Sequence, residues 1–339
     1  TQQLLFSAFG SGIRLGMHLD DRWVCCLPLY HLGGLSVLLR SLFYGTTVLL
    51  RSGFDAGDIA RRLDSGEASM ISLVPTMLER LLDSRQERPF PSELRTVLVG
   101  GGPMNTGLLE RCEKLGVPIA TTWGMTEAAS QVATGFAGDY SAGHSVGIPL
   151  SFVRVDDEGA TLNLRGPLVN GRLETRDLGF VDPEGRIFVD GRADDLIISG
   201  GKNISPEEVE AVLKAHPLVG DAAVVPMPSE AWGERPVALL ECGKGELPSD
   251  DELREWCGKR LVGYKIPDSF SWCERLPRTG LEKVSRRAVR DGFVAGLSHL
   301  ENDGGVLQEL PDDRGSRHAP EGASMFPNLS RQWREGCTE

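Results

Sequence analysis

Five short apolar runs, 23–27, 46–50, 70–74, 96–99 and 119–122, recur through the first 125 residues with helical patterns between them. Strand, helix, strand in repetition predicts a mainly parallel α/β sheet with helices on both faces, because parallel neighbours need a crossover and the crossover covers the sheet. Leu35, Leu38, Leu39, Leu42 and Phe43 stand at i, i+3, i+4, i+7 and i+8, the stripe of a helix packed on that sheet. Pro75 at a first helical position opens another helix, with Leu78, Leu81 and Leu82 inward. Leu5, Phe9, Ile13 and Leu15 suggest a further helix ahead of the first strand.

The texture changes twice. Over 145–190, short runs separated by Asp156-Asp157-Glu158-Gly159 and Asp182-Pro183-Glu184-Gly185 predict a small antiparallel, barrel-like subdomain. After Gly191 a smaller α+β pattern begins. Ser205-Pro206-Glu207-Glu208 supplies an N-cap, an N1 proline and an acidic first turn, and Ser249 with Glu252 forms a capping-box pair. The expected division is 1–144, 145–190, a connection at 191–194, a C-terminal domain at 195–293, and a disordered or poorly ordered tail at 294–339. That tail has eight acidic and four basic residues and no sustained periodicity.

Several classes are disfavoured. A net charge of −12 leaves no footprint for binding a phosphate backbone, so no nucleic-acid partner is expected. The seven cysteines contain no C-x-x-C and the six histidines no H-E-x-x-H, so no metal site made from protein ligands alone is supported. The cysteine set reads as that of a cytoplasmic protein. The apolar stretch 23–50 holds Pro28, Gly33, Gly34 and Arg40, which reads as buried core and not as a membrane span. Gly143-His144-Ser145-Val146-Gly147 has the G-x-S-x-G form of a hydrolase nucleophile elbow, but Ile148-Pro149 after it opposes the helix that an elbow requires.

Ligands of open parallel sheets bind beyond the carboxyl ends of the strands. Three polar or glycine-rich segments start there: Pro28-Leu29-Tyr30-His31-Leu32-Gly33-Gly34, Gly100-Gly101-Gly102-Pro103 and Thr121-Thr122-Trp123-Gly124-Met125-Thr126-Glu127. They offer close backbone approach, an aromatic face, a hydroxyl and a carboxylate. Further on stand Gly171-Arg172-Leu173-Glu174-Thr175-Arg176-Asp177-Leu178-Gly179, then 190–206 with Asp190-Gly191-Arg192-Ala193-Asp194-Asp195 and Gly200-Gly201-Lys202, and finally Pro277-Arg278-Thr279-Gly280-Leu281-Glu282-Lys283. In this order the set resembles the adenylate-forming superfamily. Within it, 28–45 and Gly124-Met125-Thr126-Glu127-Ala128-Ala129-Ser130-Gln131 resemble the o-succinylbenzoate-CoA ligases of menaquinone biosynthesis.

The resemblance implies an acid-CoA ligase that uses ATP, Mg2+ and coenzyme A, passing through an acyl-adenylate. It implies that Asp177 accepts from the ribose hydroxyls with Arg192 beside it. Trp123 would stack on adenine, with Gly100, Gly101, Gly102 and Pro103 along its other face and Gly124 at the turn. Thr126 and Glu127 would orient phosphate and Mg2+, and His31 would stand at the acyl pocket and pantetheine entry. Lys283 would bridge the substrate carboxylate and the α-phosphate. Asp194 would be the hinge of 191–194, and Gly200 with Gly201 would face coenzyme A. Ser130 and Gln131 are candidates for a second substrate carboxylate; Arg40 is weaker, since a helix arginine among leucines more often snorkels to the surface. Homo-oligomerisation is compatible with the resemblance.

Two departures stand out. The family's Ser/Thr/Gly-rich phosphate loop is not found, and the chain opens on Thr1 without an initiator Met, so the sequence reads as a piece of a longer protein with impaired adenylation. Glu282 precedes Lys283 where the family usually has Gly, which suggests a weakened hold of Lys283 on phosphate. The alternatives are a synthetase for another aromatic or medium-chain acid and a noncatalytic acyl-adenylate-binding fragment.

Overall fold

A computed structural model describes residues 2–294 except 87, 158, 160, 244–246 and 281. The chain forms two compact units. The first comprises 1–193 together with 280–283, and the second 194–279 and the residues from 284 on. Positions 295–339, most of the expected tail, lie outside the described residues.

In the first unit the order is α1 (Gln2–Leu15), β1 (Arg22–Cys25), α2 (Leu32–Tyr44), β2 (Thr47–Leu50), α3 (Ala56–Asp64), β3 (Met70–Leu73), α4 (Pro75–Arg85), β4 (Thr96–Gly100), α5 (Thr106–Lys114), β5 (Ile119–Met125), β6 (Ser130–Thr134) and β7 (Ile148–Pro149). Their sheet runs β2-β1-β3-β4-β5-β6-β7. The first five strands are parallel, and β6 and β7 are antiparallel additions. Successive strand residues alternate between two cores, as pleating requires. Val24, Ile71, Val97, Val99 and Ile119 pack with Ile59, Leu63, Leu78, Leu81 and Leu82 of α3 and α4, whereas Trp23, Cys25, Met70, Leu98 and Ala120 pack with Val37 of α2. The strand order reverses between β1 and β3, so the rim beyond these two strands is a topological switch point.

A second, antiparallel sheet of this unit runs β11-β10-β9-β8, from β8 (Arg154–Asp156), β9 (Thr161–Gly166), β10 (Gly171–Val181) and β11 (Ile187–Arg192). Its Leu162, Leu164 and Ile187 share a core with Trp123 and Val132 of the first sheet.

The helix 2–15 and the helix after His31 form as the periodicity predicts, but they turn other faces inward. In α2 the buried residues are Gly34, Ser36, Val37, Arg40 and Ser41, while Leu42 and Phe43 are exposed. The cause is close backbone approach: a Cβ on Gly34 would lie 2.5 Å from the Pro28 carbonyl oxygen and 2.6 Å from that of Leu27. The leucine stripe is therefore rotated off the sheet. In α1 the same holds, with Ser7, Ala8, Gly10, Ser11 and Gly12 inward and Phe9 and Ile13 outward.

The second unit has β12 (Ile197–Ser199), β13 (Lys202–Ile204), α6 (Pro206–Lys214), β14 (Val219–Ser229), β15 (Gly233–Cys242), α7 (Asp250–Gly258), β16 (Phe270–Cys273) and α8 (Arg286–Val294). Its sheet runs β13-β12-β15-β14, with β16 parallel to β15. Ser205 caps α6, and Ser249 with Glu252 closes the capping box of α7. Among the described residues no helix is long and apolar enough to cross a membrane.

One ionic node ties down the base of the first unit. Arg95 donates to Asp21 Oδ1 at 2.7 Å and to Oδ2, and also to the carbonyls of Leu15 at 2.6 Å and Gly16 at 3.3 Å where α1 ends. Burial opposes ionisation of Asp21, but hydrogen bonds from Arg95 and Ser69 outweigh it and hold its pKa below the usual carboxylate range. A depressed folded pKa contributes stability above the unfolded value that is lost as pH falls through the folded one. Asp21→Asn is thus expected to lower stability by about 2 kcal/mol at neutral pH. The difference should shrink as pH falls below the usual carboxylate range and through the depressed pKa of Asp21, as urea unfolding at neutral and strongly acidic pH will show.

Candidate functional site

The site is built on the strand ends of the first unit. β5 pairs with β6 through a turn at 126–129, and a Cβ on Gly124 would lie 1.7 Å from the Ser130 carbonyl oxygen, so only glycine fits. Ala129 and Ser130 hold positive φ of 53° and 100°, a strained conformation for residues with a Cβ. This turn leaves Thr126 and Glu127 exposed at the rim.

Trp123, just before that turn, is buried. Its indole N–H donates to Asp177 Oδ2 at 2.7 Å. Arg192 lies opposite Asp177 in the β10–β11 register, and its Nη1 donates to Oδ1 at 2.8 Å. Asp177 is 7% exposed, and each oxygen retains acceptor capacity beyond these bonds. The Trp123 ring belongs to the core shared by the two sheets, and its edge fastens Asp177.

Gly100, Gly101, Gly102 and Pro103 follow β4. Gly101 has φ of 86°, and the position of a Cβ there is 3.1 Å from Lys283 Cε and 3.4 Å from Lys283 Nζ. Burial lowers the Lys283 pKa below the usual lysine value; the Asp177 charge opposes that shift and Arg192 reinforces it. The first unit thus gathers Gly101, Asp177, Arg192 and Lys283 at one rim. His31, N-cap of α2, stands half-buried with its ring 4.6 Å from that of Tyr30.

Arg40 does not snorkel. It is 2% exposed, and burial pulls its pKa down to about 10. Its Nη2 donates to Ser130 Oγ at 3.3 Å, its Nε has no partner among the described residues, and its guanidinium lies 5.8 Å from the Trp23 ring. Ser130 in turn donates to Ser36 Oγ at 3.3 Å. Gln131 is held elsewhere, donating to Thr134 Oγ1 at 2.8 Å and Thr122 Oγ1 at 3.3 Å. Of the candidates for a second carboxylate, Ser130 thus joins Arg40 and Gln131 does not.

In the second unit Gly200 and Gly201 form the β12–β13 turn, and a Cβ on Gly200 would meet the Trp232 ring at 2.7 Å. Asp194 lies exposed in a short 3-10 turn at 193–195. Ser145 is buried, with its hydroxyl on the Ile187 carbonyl and Ile148–Pro149 continuing as strand, which removes the nucleophile-elbow reading. Among the described residues no cluster of three or more His, Cys, Asp or Glu side chains could hold a metal by itself.

A doubly wound sheet whose rim presents a paired aspartate, a glycine turn and a lysine is the architecture of a nucleotide-binding α/β protein. The AMP-binding enzyme family matches 1–176, and the AMP-binding enzyme C-terminal domain matches 208–283. The chain belongs to the AMP-binding enzyme family. It is 38% identical over 312 residues to 2-succinylbenzoate--CoA ligase of Bacillus cereus, an alignment covering 84% of this chain and 64% of that relative. It is also similar to o-succinylbenzoate CoA synthetase of Bacillus subtilis in complex with the acyl-adenylate intermediate OSB-AMP, with TM-score 0.77 and 38% identity over 86% of this chain and 65% of that one. The same enzyme with ATP and magnesium ion gives TM-score 0.76 and 37% identity, over 86% and 66%. The chain therefore spans about 64% of the length of the curated relatives it matches.

The Trp123 hydrogen bond is directly testable. Trp123→Phe keeps most of the ring volume but removes a donor to a buried carboxylate, and is expected to lower stability by about 1.5 to 3 kcal/mol in urea unfolding.

Proposed function

We propose that this chain carries the chemistry of an acid-CoA ligase acting on 2-succinylbenzoate. The carboxylate of the acid attacks the α-phosphorus of ATP and pyrophosphate leaves; the coenzyme A thiol then attacks the acyl carbon and AMP leaves. Asp177, fixed by Trp123 and Arg192, keeps acceptor sites for the ribose hydroxyls. Lys283, at the Gly101 turn, supplies positive charge where negative charge grows between carboxylate and α-phosphate. His31 borders the acyl pocket, and the Gly200-Gly201 turn offers backbone for the pantetheine arm, with Asp194 as the pivot between the two half-reactions.

Thr126 and Glu127, one hydroxyl and one carboxylate exposed on a strained turn, suit Mg2+, which keeps waters and shares substrate phosphates instead of taking a full protein cage. Bound there, the ion would neutralise phosphate charge. The supply of ATP and coenzyme A favours a cytoplasmic setting, and association between copies is open to sedimentation analysis.

Arg40 is the observation that carries the substrate class. A buried guanidinium whose side-chain acceptor among the described residues is a serine, beside the turn bearing Thr126 and Glu127, calls for an anionic partner. A second carboxylate on the acid meets that need. A monocarboxylic aromatic or medium-chain acid does not.

ATP-pyrophosphate exchange dependent on 2-succinylbenzoate tests the reading. Exchange by this chain supports it and overturns the expectation of impaired adenylation; binding of a nonhydrolysable acyl-AMP analogue without exchange would reduce the chain to a binding piece. Lys283→Ala is expected to lower adenylate formation by about 100-fold or more while sparing thioester formation from supplied acyl-adenylate. Arg40→Met is expected to raise KM for the diacid by about 100-fold with little effect on a monoacid analogue, as a charge-assisted bond of about 3 kcal/mol requires.

A further inference from the structure

Glu282 departs from the glycine that the family usually carries before the lysine, and the structure gives that departure a use. Its φ is 58°, in the left-handed region where a side chain costs free energy unless its surroundings hold it. Here two contacts do so. The Glu282 carbonyl accepts from Thr76 Oγ1 at 3.5 Å in the first turn of α4, and Oε2 of its carboxylate lies 3.7 Å from Arg80 Nη1, one turn further along. Arg80 is itself braced, its guanidinium 5.2 Å from the centre of the Phe54 ring.

We infer that Glu282 and Arg80 form a latch that holds the 280–283 segment on α4 and thereby positions Lys283 at the Gly101 turn. Glu282 is on this account a positioning residue. Its carboxylate is drawn toward Arg80, so the expectation that it weakens the hold of Lys283 on phosphate is reversed. The strained φ fixes the direction in which the next residue leaves, and the ion pair makes that conformation the one occupied. The latch rests on the proposed role of Lys283 for its consequence in the reaction, but not for its existence.

The test reads Lys283 without substrate. In this chain, amine labelling of individual lysines as a function of pH, followed by peptide mass analysis, gives a titration midpoint for Lys283 with Lys202 as internal reference. The midpoint is expected below the ordinary lysine value in the parent chain. It should move up toward that value in Arg80→Met and in Glu282→Gly, with the double variant no further displaced than either single one. The charge swap R80E/E282R should restore it. An Arg80→Met midpoint equal to that of the parent, or a swap that fails to restore, overturns the latch. A second readout addresses the reaction: Arg80→Met should lower adenylate formation several-fold and leave thioester formation from supplied acyl-adenylate unchanged. If the parent chain forms no adenylate at all, the chain is reduced to the binding piece described above, while the midpoints still decide the latch.

Discussion

A carboxylate removed almost entirely from water must be bound on both oxygens, and in this chain the residues that bind Asp177 come from two different sheets. Trp123 belongs to β5 of the parallel-rich sheet, and Arg192 to β11 of the antiparallel one. Each bond to the ionised carboxyl is worth about 1.5 to 3 kcal/mol. The packing of Leu162, Leu164 and Ile187 against the Trp123 ring adds a non-directional term. The Trp123–Asp177 hydrogen bond, which crosses from one sheet to the other, adds the direction that the apolar contact lacks. Asp177 is thus held in one orientation from both of its oxygens.

The turn at 126–129 shows the same economy on a smaller scale. Gly124 admits the Ser130 carbonyl at a distance that excludes any Cβ, and this close crossing forces Ala129 and Ser130 into positive φ. The strain is offset by the β5–β6 ladder on either side. Its result is that two polar side chains, Thr126 and Glu127, project at the rim, while Ser130 turns inward to Arg40. One strained segment thus presents a hydroxyl and a carboxylate at the rim on one side and meets the buried cation on the other.

Much of this was legible in the sequence. The alternation of β-rich runs with helical stripes predicted the parallel sheet, and the capping signals at Ser205 and Ser249 predicted where α6 and α7 begin. Helix faces were less legible. The stripe from Leu35 to Phe43 correctly marks a helix, but a periodicity of hydrophobicity cannot register that Gly34 lets the backbone in so closely that small and polar residues face the sheet. Arg40 was misjudged for the same reason: with the leucines assigned inward, it was left for solvent. Arg80 carried no signal, since a surface arginine on an amphipathic helix has no distinguishing neighbours in sequence. The Trp123 hydrogen bond carried no signal in sequence, because its partner lies 54 residues away and only the packing of the two sheets brings it near.

Arg40 admits a stricter argument. Burial lowers its pKa to about 10, yet that still leaves the guanidinium protonated by about a thousand to one at neutral pH. The side chain is therefore a cation in a place where cations are costly, and desolvation of an unpaired charge amounts to several kcal/mol. α2 already holds leucines at 35, 38, 39 and 42, so an apolar residue at 40 would fold at lower cost. Ser130 and the Trp23 ring recover part of that cost, but a neutral hydroxyl and a ring at 5.8 Å do not equal an anion. What remains is a desolvation cost that, on the function proposed above, a bound negative group offsets. On that proposal a second carboxylate on the substrate would gain that increment and an acid lacking it would not, so the cost of Arg40 in the free protein would become discrimination in the complex.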